Sequence, residues 1–145
     1  MPITSDQIVQ EILAREAGLE DNPLDRGGIT KYGITLSTLR QVRPDATADD
    51  IRALSSSEAA AIYQKLYVAP FTEAAAGDDY FLALLADSAV QHGVARVRSW
   101  LAEGATAYAQ LLTRRIQFYG EIVVAHPDQL AFLRCWLSRV TKFIR

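Results

Sequence analysis

Ile8, Val9, Ile12 and Leu13 recur at helical spacing, and Thr4 followed three residues later by Gln7 marks where that helix begins. The same start signal returns at Thr47 with Asp50, and again at Ser55 with Glu58. The second of these opens a helix through Ala59, Ala60, Ala61, Ile62 and Leu66, which Pro70 stops. Asp78 and Asp79 precede a helix over 80–92, with Phe81, Leu84, Leu85 and Ser88 on one face and Gly93 closing it. Further helices are predicted over 95–103, over 106–124 and after Pro127, a residue suited to a first helical turn. Residues 18–35 break the pattern. They hold Gly18, Pro23, Gly27, Gly28 and Gly33, show no 3.6-residue period, and read as turns with a short β-hairpin over 28–35. The prediction is a mainly α, single domain with one long, polar, Gly-rich loop, and such loops in compact domains are usually functional.

Composition narrows the class. The chain has 145 residues, 50% of them hydrophobic and 22% charged, which suits one globular domain and excludes a wholly disordered chain. No apolar run approaches the ~20 residues that a spanning helix needs. The N-terminal stretch lacks a basic region followed by an apolar one, so synthesis in the cytosol without a signal peptide is expected. The net charge of −2 conceals an asymmetry: residues 1–90 carry 7 basic and 14 acidic side chains, residues 91–145 carry 8 and 3. From Leu133 onward, Arg134, Arg139, Lys142 and Arg145 stand without an acid. Four cations spread over that length read better as a solvated helix face than as a patch for an anionic polymer, so no nucleic-acid partner is expected. Cys135, flanked by Leu133, Trp136 and Leu137, reads as a small buried apolar residue.

Chemistry is sought first at Glu16. It lies four residues beyond Ile12, so at ~100° per residue it returns within about 40° of the buried stripe. Partial burial disfavours the charged form of a carboxyl, which suits a general acid that must hold a proton near neutral pH. The alternative is a surface Glu paired with Arg15 or with the loop. Asp25 and Thr30 bracket Gly27 and Gly28 and could direct water to a substrate from the loop, while Asp25 could equally be a turn cap. A calcium loop starting at Asp21 fails, because Pro23 takes a ligand position and Arg26 stands where Gly is required. His92, His126 and Cys135 lack metal-ligand spacing, so no metal or other cofactor is expected. Asp87, on an apolar face, reads as a buried Asp bonded to a helix N-terminus.

The stretch EAGLEDNPLDRGGITKYGIT resembles the signature of lysozyme-like muramidases of the secretion-activator or glycoside hydrolase 108 type. Glu16, Gly18, Pro23, Asp25, Gly27, Gly28, Thr30, Tyr32, Gly33, Ile34 and Thr35 fit it; Ala17 and Leu19 depart, at positions where the family has Gly and Tyr. The segment Asp87 to Gly93 is similar to a second family pattern, with Gln91 where Asn is commoner. Residues 115–140, with Pro127, Gln129, Phe132, Trp136 and Arg139, resemble the family's C-terminal peptidoglycan-binding region.

That resemblance implies a lysozyme-like helical fold over 1–145, with the catalytic signature in 1–93 and a peptidoglycan-binding-like region in 94–145. It implies hydrolysis of the β-1,4 bond between N-acetylmuramic acid and N-acetylglucosamine in bacterial peptidoglycan, for phage lysis or secretion. Glu16 would be the acid, Asp25 and Thr30 would position or activate water, and Tyr32, Gly33 and Gln91 would bind the glycan. Glycan strands are the implied partner, reached in the periplasm or wall through a holin-like pore or a secretion system, without stable membrane insertion. The competing expectation is a non-catalytic module that binds peptidoglycan or a secretion apparatus on the same scaffold.

Overall fold

The computed structural model describes residues 2–20 and 28–145, and the chain divides at Pro70 and Phe71 into two compact units. The mainly α expectation holds. In the first unit, α1 (Ser5–Arg15) starts at the expected capping box: the Gln7 amide donates to Thr4 Oγ1 at 3.2 Å and the Thr4 amide to Gln7 Oε1 at 2.8 Å. Its stripe of Ile8, Val9, Ile12 and Leu13 is buried, against α4 (Ser56–Tyr63) and the π-helical turn Gln64–Val68 that continues it. Ala59, with no side chain beyond Cβ, is fully buried on the facing side of α4. The path to Pro70 is helical as expected, but its pitch changes after Tyr63, to π and then to a 3-10 turn over Ala69–Phe71.

Between α1 and α4 in chain order, a small antiparallel sheet forms from β1 (Leu19–Glu20), β2 (Thr30–Lys31) and β3 (Ile34–Thr35). The expected hairpin is β2–β3, with Thr30 opposite Thr35 and Lys31 opposite Ile34. Its two-residue turn, Tyr32 and Gly33, has φ of 53° and 75°, the pair of positive values that a tight hairpin turn matching strand twist demands. The third strand was not expected. Thr35 then caps α2 (Leu36–Arg40), and Thr47 with Asp50 caps α3 (Ala48–Ala53), where the Thr47 amide donates to the Asp50 carboxylate at 2.7 Å.

The second unit is organised around α6 (Asp79–His92), opened by Asp78, whose Oδ1 accepts from the Tyr80 and Phe81 amides. Residues 81–89 are buried without a break. The single apolar face read from the sequence is therefore a helix buried all round, as its small alanines between leucines permit. Packed with it are α5 (Thr72–Ala75), α7 (Val94–Ala102) and α8 (Tyr108–Ala125). Pro127 does begin a helical turn, but a 3-10 one (Pro127–Phe132), and α9 (Leu133–Val140) follows it. Cys135 is exposed, contrary to expectation. The inward face of this segment runs through Leu133, Trp136, Val140 and Phe143, and Cys135 falls off that 3.6-residue period. No helix among the described residues is long and apolar enough to cross a membrane.

Candidate active site

Glu16 sits where α1 ends. Its amide still donates to the Ile12 carbonyl at 3.0 Å, so the last helical bond fixes its backbone while the chain beyond turns away at Gly18, φ 109°. The half-buried side chain lines a cleft of about 110 Å³ with Arg15, Ala17, Gly18, Thr30 and Gly33. This cleft lies wholly within the first unit. Thr30 reaches it from the first residue of β2, and Gly33 from the hairpin turn. The turn is tied to the residue that leads into β1 by the Tyr32 amide, which donates to the Gly18 carbonyl at 3.0 Å.

Gly33 is held against the acid itself. A Cβ built on it would lie 2.8 Å from Glu16 Oε2, 2.8 Å from the Tyr63 hydroxyl oxygen and 2.9 Å from Glu16 Cβ. Conformation and space therefore both demand glycine. The neighbouring Tyr32 is half-buried and its carbonyl accepts the Tyr63 hydroxyl. Tyr63 was not among the residues singled out from the sequence, where it reads as one more apolar position of α4. The available signal was its type: a buried Tyr in place of Phe usually means that its hydroxyl has a partner.

Of the residues expected at the site, the structure thus brings together Glu16, Thr30 and Gly33, with Tyr32 in the adjoining turn. Asp25 and Asp21 lie outside the described residues. Gln91 is in the second unit, at the end of α6, where its Oε1 accepts from Arg115 Nη2 at 2.5 Å and from the Tyr119 hydroxyl at 2.6 Å.

Those bonds belong to a buried polar network. Asp87 and Arg115 are both fully buried and pair at 2.8 Å. Arg139 approaches Asp87 from α9 at 2.9 Å, and Arg115 also donates to Ser88 Oγ and to the Tyr119 hydroxyl. Asp87 is buried as expected, and two guanidiniums neutralise it, which is how a buried carboxylate is kept charged. Arg139 is correspondingly not part of a solvated cationic face. Beside the network, burial first, and then the nearby charges of Arg115, Arg139 and Arg96, push the His92 imidazole down to a pKa of about 3, with Asp87 opposing. His92 is a neutral aromatic of the core, packed on Trp100, Phe118 and Tyr119 with ring centroids 5.1–5.6 Å away.

The sequence model of a family described as glycosyl hydrolase 108 matches residues 9–93, which include the whole of the Glu16 cleft. Among solved structures, SagA of Brucella abortus is similar in fold, with a TM-score of 0.72 and 23% identity over 96% of this chain and 90% of that chain. No curated protein matches.

Proposed function

We propose that the chain, a glycoside hydrolase by its membership of the glycosyl hydrolase 108 family, acts on peptidoglycan as an N-acetylmuramidase. The bond cut is then the β-1,4 link from N-acetylmuramic acid to N-acetylglucosamine. The observation that carries this reading is the Glu16 carboxylate, anchored at a helix end, facing a polar cleft with Thr30 and a glycine pressed against its oxygen. Glu16 protonates the departing glycosidic oxygen as positive charge develops on the sugar ring. The Thr30 hydroxyl, able both to donate and to accept, orients the attacking water, and Asp25, nine residues beyond the acid, activates it. The glycan lies along the Tyr32 and Gly33 turn, whose backbone is held beside the acid.

Residues 94–145 hold the wall polymer in this reading. An aromatic stack with one exposed end supports it: Phe132, half in solvent, lies nearly parallel to the Trp136 ring at 6.3 Å, and the half-buried Trp136 in turn stacks on the buried Tyr119. Flat aromatic faces of this kind suit the apolar face of a sugar ring. The place of action is the cell wall, reached through a holin-like pore or a secretion apparatus. The test is digestion of purified peptidoglycan followed by borohydride reduction of the new ends. Reduced muramic acid supports the muramidase; reduced glucosamine would assign the other glycosidic bond. Binding to walls without any new reducing ends would make the chain a non-catalytic module.

A further inference from the structure

Tyr63 carries a polar group where packing requires none. Its side chain is 1% exposed on the inner face of α4, beside Ala59 and Ile62, and Phe would fill the same volume. Instead the hydroxyl crosses to the hairpin and donates to the Tyr32 carbonyl. The accepting residue is held at φ 53°, a left-handed conformation that disfavours side chains with a Cβ. An outside bond to that peptide opposes its relaxation. The helix changes pitch at the next residue, where the π turn Gln64–Val68 begins, and π turns are one way to re-aim a side chain out of α-helical register. From within that turn Tyr67 leans its ring on Tyr63 at 5.5 Å.

The same hydroxyl oxygen and Glu16 Oε2 each lie 2.8 Å from one point, the place a Cβ on Gly33 would take. Hydroxyl, turn and carboxylate therefore meet at one spot, with no room for another carbon. We infer that Tyr63 is a positioning residue: its hydroxyl clamps the Tyr32 and Gly33 turn onto the Glu16 carboxylate and so sets the direction in which Glu16 presents its proton. The inference rests on Glu16 acting as the acid. It assigns Tyr63 no contact with substrate.

Tyr63→Phe in the full chain, alone and combined with Glu16→Gln, tests this. Because misplacing a reacting group by ~1 Å can cost ~10²-fold, the expected result is a loss of roughly 10–100-fold in the saturated rate of wall hydrolysis for Tyr63→Phe. In the Glu16→Gln background the same change should cost nothing further, since the route runs through that carboxyl. A merely structural Tyr63 would give the same fractional loss in both backgrounds, and that result, or an unimpaired single variant, overturns the inference. Hydrogen exchange at the Tyr32 amide, bonded to Gly18 in the native chain, reads the clamp without any activity. It should speed up about tenfold or more in Tyr63→Phe while core amides of α6 keep their protection. Unchanged exchange at Tyr32 overturns the clamp. If the native chain released no sugar ends at all, the muramidase reading would fall, and the exchange result alone would decide on the clamp.

Discussion

Gly33 and Glu16 are in contact so close that one methyl group cannot be placed between them: a Cβ at 33 would stand 2.8 Å from Oε2. That contact joins two sequence signals that are 17 positions apart, a helix end and a hairpin turn, into one site.

Gly33→Ala is accordingly expected to damage activity more than stability. The left-handed φ of 75° costs an alanine ~1–2 kcal/mol, and the carboxylate must also move, for which a loss of ~10²-fold in rate is expected. Gly77→Ala is the control. It too has a positive φ, but its Cβ meets nothing within 4 Å, so it should lose some stability and keep full activity. Equal activity losses in the two variants would mean that the contact with Glu16 is incidental.

The second unit should lose stability below neutral pH because of His92. Its folded pKa of about 3 lies below the ordinary 6.5, so the unfolded chain binds the proton first. The stabilisation is whole above pH 6.5 and fades as the pH falls from there toward 3. Trp100 and Trp136 both lie in this unit, so tryptophan fluorescence follows its unfolding. In His92→Phe, which keeps an aromatic ring in the cluster, the urea midpoint should fall less between pH 6.5 and 4.5 than in the native chain. Identical slopes would remove His92 as the cause.

Asp87→Ala is expected to destabilise that unit by about 3–5 kcal/mol, the cost of stranding a buried guanidinium without its counter-charge. Arg139→Ala should cost clearly less, because Asp87 keeps its 2.8 Å bond to Arg115 and the lost side chain is the more exposed partner. Fluorescence-detected urea curves give both values, and the reverse ranking would contradict this division of roles.

How much of this was legible beforehand depends on how local each feature is. The capping boxes at Thr4, Thr47 and Ser55, and the hairpin within 28–35, are written in residues two to four apart, and they stand where expected. Glu16 was readable because a helix period carries it to the core edge, and Thr30 because it closely follows the Gly27 and Gly28 pair. The pairing of Asp87 with Arg115 and Arg139 spans 28 and 52 positions, and no short-range pattern encodes it. Tyr63 was hidden for a related reason: its helix face gives its burial, but only the fold gives its hydroxyl a partner 31 residues away. The short α2 escaped because five residues make too little periodicity to see. Cys135 was misjudged from apolar neighbours, although neighbours in sequence on a helix point in different directions.

The central claim is that Glu16 supplies the proton that breaks the glycosidic bond. Glu16→Gln keeps the shape of the side chain and its place at the end of α1 while removing the acid. The most direct measurement is the rate of new reducing ends released from purified peptidoglycan by this variant, beside the native chain and with folding verified by its urea curve. The expected result is an intact fold with a rate lower by ~10²–10⁴; a folded variant that hydrolyses walls at nearly the native rate would contradict the account.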